Sequence, residues 1–249
     1  MSVAIIAGTA IDDIPGTILK EEIVETPYGS ALIYRVERGA DDLVFLARHG
    51  INHDTPPHKI NYRANIKALE MIGVKRVLAT NAVGSINKEI PPLGLALITD
   101  FLDFTSNRES TFFDGGAGGL KHVDMSVTYS PTLNKQLLAL APSFDLKLRP
   151  EAVYVCTNGP RLESPAEIRM YAQLGGDVVG MTGIPEATLA RELGLCYAAI
   201  AFSVNWAAGI EETIRFVPDS AGFDKIRANI PALFIETLKT TSDADCCDS

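Results

Sequence analysis

Short apolar runs of strand length, separated by stretches with helical spacing, constrain this chain more than any other feature. The runs lie at 3–7, 31–36, 43–47, 77–80, 95–99, 153–157, 178–181 and 197–204. Between them, Tyr62, Ile66 and Leu69 fall on one helical face, flanked by Arg63 and Lys67. Ser164-Pro165-Ala166-Glu167 offers a capping serine, proline at the first helical position and glutamate three residues after the cap, a strong helix start. Another helix is predicted over 185–193, with Gly194 as its stop. Phe223, Ile226, Ile230, Leu233 and Phe234 mark a terminal helix that Pro231 is expected to kink. Strands alternating with helices predict an α/β fold around a largely parallel or mixed sheet.

No internal repeat and no linker interrupts this pattern, so one domain is expected over residues 1–240. The glycine-rich stretch 115–119 reads as a surface loop, and the small, acidic tail at 241–249 as disordered. A chain of 249 residues, 47% hydrophobic, can bury a sizeable core. No apolar run approaches the roughly 20 residues that would cross a bilayer, and the first residues read as a strand, not a signal peptide. Net charge −9 argues against nucleic acid or an anionic membrane as partner. Cys156 and Cys196 sit in apolar runs, and with Cys246 and Cys247 they make no C-x-x-C pair. A reduced, cytoplasmic setting and no metal site are the corresponding expectations.

Polar groups gather where strands end. Ala7-Gly8-Thr9 follows the first run, Arg48-His49-Gly50 the third, residues 80–85 (TNAVGS) the fourth, and Gly180-Met181-Thr182-Gly183 precedes a helix. Ligands of open α/β sheets sit beyond the carboxyl ends of strands, so these loops can converge on one pocket. Hydroxyls, backbone N–H groups, a helix N-terminus and an Arg-His pair suit a small oxyanion such as phosphate. Taken singly, Gly-Thr and Gly-Ser after a strand are ordinary turn chemistry, and Arg-His can be a surface pair. Neither a Walker-type loop nor a Gly-x-Gly-x-x-Gly fingerprint is present. Spacing alone therefore gives an anion-binding α/β enzyme and no more.

The segments IIAGTAIDD, FLARHGINH followed by PPHKINYRANIKAL, TNAVGSINKEI, TNGPRLESPAEI, VVGMTGIPEATLARELGLCYAAIA and SVNWAAG go further. Together, and in this order from about residue 3 to residue 209, they resemble the trimeric purine nucleoside phosphorylases. Within them the similarity is greatest to the methylthioadenosine and methylthioinosine phosphorylase branch. The resemblance implies a single α/β domain with a mixed central sheet flanked by helices, and a homotrimer. It implies phosphorolysis, in which inorganic phosphate as co-substrate cleaves a nucleoside to free purine and a ribose 1-phosphate, without a cofactor. Thr9, Arg48, His49, Asn81, the backbone N–H of Ala82 and Thr182 are the implied phosphate ligands, although relatives often carry threonine at the place of Asn81. Met181 is implied against the ribose, and Val83, Gly84 and Leu162 along the purine slot. Asn205, Trp206 and Ala207 would form its polar edge, and His122 would come from the neighbouring subunit to the 5′ end. Asn205, His49 and Arg48 are the implied catalytic residues.

Two departures bear on the base. The methylthioadenosine type has serine where this chain has Glu163 and aspartate where it has Asn205. A carboxylate at 163 accepts from the N1–H of a 6-oxopurine, whereas N1 of adenine is itself an acceptor. An amide at 205 can donate to N7 and turn towards O6. The plain alternative for Glu163 is an acid at a helix start. S-methyl-5′-thioinosine is the substrate this reading favours. Inosine or guanosine, methylthioadenosine, and a nucleoside-binding sensor without catalysis are the alternatives. Ile51 and the 210–219 stretch, which should wall the 5′ group, leave the 5′ substituent open.

Overall fold

The computed structural model describes residues 2–8, 18–37, 43–115, 119–217 and 221–242. In chain order the elements are β1 Ser2–Ala7, β2 Ile18–Thr26, β3 Gly29–Glu37, β4 Leu43–Ala47, α1 Tyr62–Met71, β5 Val74–Ser85, β6 Leu95–Asp103 and α2 Pro131–Leu140. They continue as β7 Leu148–Cys156, α3 Pro165–Gln173, β8 Val178–Gly180, α4 Gly183–Glu192, β9 Cys196–Trp206 and α5 Ala221–Thr240. Thr9, residues 116–118, Cys246, Cys247 and most of the 241–249 tail lie outside the described residues.

Nine strands form one mixed sheet in the order β2-β3-β4-β1-β5-β8-β7-β6-β9, as the α/β reading anticipated. At its centre β1 is parallel to both β4 and β5. The sheet then curls on itself. β5 pairs antiparallel with β8, β8 runs parallel to β7 and β7 to β6, β6 pairs antiparallel with β9, and β9 returns parallel to β5. Those five strands close a ring.

Both faces of the centre are buried, which is why the strands read as unbroken apolar runs. Side chains alternate across it. Ile6, Val44, Leu46 and Val77 join one core with Ile66 and Leu69 of α1 and Leu189 of α4. Ile5, Phe45 and Leu78 join the other with Leu133 of α2 and Leu233 and Phe234 of α5. A smaller cluster under α3 joins Ile168 and Tyr171 to Val155 and Val179.

Several expectations need correction. Residues 80–85 are not a loop after a strand but the second half of β5, held in register by β9, with Gly84 opposite Asn205 and Ser85 opposite Trp206. β2 and α2 were not anticipated. β2 is charge-rich and pairs only in a hairpin with β3, leaving Ile23 67% exposed, so no apolar run announces it. α2 begins at Ser130-Pro131, the same cap-and-proline pair as at α3. α5 runs through Pro231 without interruption. Proline in a helix interior costs about 3 kcal/mol. Ile230, Leu233 and Phe234 are fully buried, each contributing about 1.5–3 kcal/mol, and together they outweigh that cost. In α4 the backbone of Ile184 is extended, so the helix regular from Pro185 matches the sequence reading, and Gly194 follows it at φ +69°.

Candidate active site

The strand ends do converge, and Arg48 is the point at which they meet. Its backbone N–H donates to the Ala7 carbonyl at the end of β1 (2.9 Å). Its Nε and Nη2 donate to the two carboxylate oxygens of Glu186 from α4, both at 2.6 Å, and Nη1 donates to the Thr80 carbonyl of β5 (3.0 Å). The Tyr197 hydroxyl of β9 donates to the same carboxylate (2.7 Å). Arg48 and Glu186 are 3% and 1% exposed, a buried and fully hydrogen-bonded ion pair. Burial alone would lower the arginine pKa, but Glu186 outweighs it and holds the guanidinium charged, above its ordinary value. Arginine carries five N–H donors; among the described residues three are used and two remain.

Gly8 opens the space beside them. A Cβ at this position would lie 2.7 Å from Arg48 Nη1 and 3.6 Å from His49 Nε2, so a side chain here would fill the ground the two groups share. His49 is held through Nδ1, 2.8 Å from the Thr55 carbonyl. A carbonyl can only accept, so Nδ1 carries the hydrogen. Burial, aided by the positive charge of Arg48 and against the pull of the Thr55 bond, brings the His49 pKa down to about 4. The ring is thus neutral near pH 7, and Nε2 presents a lone pair.

The helix N-terminus behaves differently from the sequence expectation. The N–H groups of Thr182 and Gly183 both donate to the Tyr154 hydroxyl oxygen (3.1 and 3.2 Å), so they are taken before any anion arrives. What Thr182 can offer is its hydroxyl. Asn81 Nδ2 donates to Thr182 Oγ1 (3.1 Å), which leaves the threonine proton free for another acceptor. Asn81 is 1% exposed and does not line the cavity; it stands behind Thr182.

The cavity itself has a volume of about 490 Å³; the buried Arg48, His49 and Thr182 are taken as its closed end, and the exposed Leu162 and Phe216 as its open end. Ala82, Val83, Gly84, Glu163, Met181, Asn205 and Ala207 line it as well, and His53, Asp54, Thr55, Pro57, Val204 and Ile214 are among the rest of its wall. The Gly84 position is close: a Cβ there would sit 3.3 Å from Asn205 Nδ2. Gly159, at φ +62°, leaves room for the Met181 sulfur that a Cβ would strike. Glu163 is not the helix-start acid. Glu167 does that work, closing the capping box with Ser164. Glu163 is 9% exposed, and its Oε1 accepts from the Thr157 hydroxyl (2.7 Å), leaving Oε2 for a ligand. Asn205 Nδ2 donates one hydrogen to the Trp206 carbonyl (2.7 Å) and has a second to give.

Not every residue named from the sequence arrives here. Trp206 lends its carbonyl to Asn205 but its ring is not in the lining. His122 is exposed and is not among the residues that line this cavity, and Thr9 lies outside the described residues. Conversely, Glu186, Tyr154, Tyr197 and Thr157 escaped the sequence reading. Only Glu186 left a trace, a lone acid in the apolar GIPEATLA stretch, which the helix dipole explains just as well.

A charged arginine, a neutral histidine, a hydroxyl, a carboxylate and an amide thus line one cavity, a donor and acceptor set able to take a small anion beside a second polar ligand. The chain belongs to the phosphorylase superfamily, whose family model matches residues 2–236. It is 51% identical over 215 residues to a probable 6-oxopurine nucleoside phosphorylase of Moorella thermoacetica, covering 86% of this chain and 82% of that one. It is 46% identical over 218 residues to a probable S-methyl-5′-thioinosine phosphorylase of Methanopyrus kandleri, covering 87% and 83%. Methylthioadenosine phosphorylase of Schistosoma mansoni in complex with adenine superposes with a TM-score of 0.86 at 29% identity, over 96% and 91% of the two chains.

Proposed function

We propose that this purine nucleoside phosphorylase takes 6-oxopurine nucleosides and, among them, S-methyl-5′-thioinosine as its preferred substrate. The observation that carries the base choice is the Glu163 carboxylate, buried in the cavity wall with one oxygen held by Thr157 and the other unclaimed. It can accept N1–H of hypoxanthine, while adenine would present a lone pair to it. Asn205 supports the same choice if its second amide hydrogen goes to O6, where adenine would present an amino donor; N7 accepts in either base. The apolar wall of Val204, Ile214 and Phe216 suits a methylthio group better than a hydroxyl. Relatives named for both kinds of substrate agree with the 6-oxopurine half of this reading.

In the reaction, a phosphate oxygen forms a bond to C1′ as the bond from C1′ to N9 breaks, yielding hypoxanthine and 5-methylthioribose 1-phosphate. The ribose passes through an oxocarbenium-like state. Arg48 and the Thr182 hydroxyl would hold the phosphate at the closed end, with Met181 under the sugar. Because Glu186 already balances Arg48, the charge of the phosphate is not cancelled and can stabilise the cationic sugar. A hydrogen bond from Asn205 to O6 or N7 would ease departure of the purine. We further propose that the enzyme is a cytoplasmic homotrimer in which His122 of each subunit closes a neighbour's 5′ end, with residues 1–240 as the folded unit.

A substrate panel tests this. Release of free base from methylthioinosine, inosine and methylthioadenosine should require phosphate, and kcat/KM should favour methylthioinosine over methylthioadenosine by at least about tenfold, the cost of one unmatched buried group. Preference for methylthioadenosine would overturn the reading of Glu163. Nucleoside binding without phosphate-dependent cleavage would make the chain a sensor. Sedimentation as an active monomer would remove the role given to His122.

A further inference from the structure

The geometry points to His49 as a hydrogen-bond acceptor that selects a protonated anion: Nε2 takes the P–OH hydrogen of inorganic phosphate, so the site reads phosphate apart from anions of the same shape that carry no proton. The inference rests on the phosphate reading of this end of the cavity and goes beyond it.

Three observations carry it. First, Nδ1 lies 2.8 Å from the Thr55 carbonyl, which has no hydrogen to give, so the ring hydrogen of a neutral imidazole is on Nδ1. Secondly, the Cδ2–Nε2 edge of the His49 ring and Arg48 Nη1 both lie close to one point over Gly8, Nε2 at 3.6 Å and Nη1 at 2.7 Å. Donor and acceptor are therefore offered side by side to one tetrahedral ligand. Thirdly, the neighbourhood does not favour an imidazolium. The guanidinium of Arg48 and the His53 ring, 4.5 Å from His49 between centroids, stand against it. Glu186, the acid that acts on His49, is already bonded to Arg48 and Tyr197.

Near neutrality both common forms of inorganic phosphate keep at least one proton, whereas sulfate and monofluorophosphate keep none. Monofluorophosphate is the sharper probe, because it has the charge and nearly the shape of hydrogen phosphate, with fluorine in place of the hydroxyl. Either would turn a lone pair towards Nε2, leaving a buried acceptor unmatched. That loss corresponds to about tenfold in affinity or more.

The test is titration calorimetry of the intact enzyme with inorganic phosphate, sulfate and monofluorophosphate, alongside phosphate-dependent base release. Phosphate should bind at least about tenfold more tightly than either of the others. In His49→Ala the phosphate affinity should fall while the other two hold or improve, so that the three converge. Nitrogen NMR of the unaltered enzyme, which needs no variant to fold, should show His49 protonated at Nδ1 alone with phosphate bound. Equal affinities for the three anions in an enzyme that still cleaves with phosphate would overturn the proposal and leave the function intact. So would equal weakening of all three in His49→Ala, or a hydrogen on Nε2 in the phosphate complex. Absence of phosphate binding and of phosphate-dependent cleavage would overturn both.

Discussion

The two ends of the cavity are built on opposite plans. At the closed end, Arg48, His49, Thr182 and Glu186 are all less than one-tenth exposed, and each is bonded to backbone or to a buried partner from another element. At the open end, Leu162 is 40% and Phe216 60% exposed, and Ile214 comes from an irregular stretch between β9 and α5. The closed end presents its donors already fixed, and that preorganisation is what stabilises charge in a transition state. The open end takes its shape from side chains on loops, which can differ between relatives without disturbing the core. Glu163 belongs to neither plan entirely: it is buried, but it sits in the irregular 157–164 stretch that leads from β7 into α3.

If the comparison holds, damage at the closed end should be structural as well as catalytic. The largest effect is expected from Glu186→Ala, which leaves the Arg48 guanidinium buried without its counter-ion. Breaking such a pair costs about 3–5 kcal/mol, to be read as a lowered midpoint in urea unfolding. An unchanged midpoint would mean that water reaches Arg48 and that the closed end is not closed. Next comes Arg48→Ala, where loss of an electrostatic contact to the nucleophile should lower kcat/KM for phosphate by about 2–4 kcal/mol in barrier terms. Phosphate kinetics unaltered in a folded variant would remove the anion from this end.

Glu163 and Asn205, in contrast, should respond in selectivity more than in stability. Glu163→Ser combined with Asn205→Asp should narrow or reverse the preference for methylthioinosine over methylthioadenosine, a change of about 1–3 kcal/mol. Either substitution alone should chiefly lose activity, since one polar group then lacks its partner. A double variant with the original ratio would show that the base is read elsewhere. The smallest effect is assigned to Phe216→Ala at the open end. A half-exposed ring buries only part of its area against a ligand, so less than about 1 kcal/mol is expected, appearing as a higher KM for 5′-methylthio substrates with inosine hardly affected. A larger loss, or one shared by inosine, would mean that the loop at 210–217 shapes the whole cavity.

How much of this was readable beforehand depends on whether a residue's partners are near in sequence. The central strands were legible because both faces are buried and the runs are apolar throughout. Ser164-Pro165 and Gly194 fixed the limits of α3 and α4, since caps are local chemistry. Arg48 and His49 stood out against an acidic chain, and the family resemblance gathered them with Thr182 and Asn205. What stayed hidden was the supporting layer. Glu186 reaches Arg48 across 138 positions, and Asn81 reaches Thr182 across 101. No periodicity encodes such pairings. The same holds for β5, whose second half carries Thr, Asn, Gly and Ser and reads as a turn until β9 lies alongside it.

The closure of five strands into a ring also sets a timetable. β5 carries Ala82, Val83 and Gly84 into the cavity, yet nearly all of it pairs with β9, from Arg76 opposite Cys196 to Ser85 opposite Trp206. As the chain leaves the ribosome, β1, β4 and β5 can meet early, but the ring stays open until residue 206 has been made. Throughout that interval one edge of β5 is an unpaired ladder of backbone N–H and C=O groups, of the kind that invites association with other chains. Pairings so far apart in sequence also make for slow folding. The last strand delivered, β9, brings Asn205 with it, so the cavity gains its final wall in the same event that removes the exposed edge.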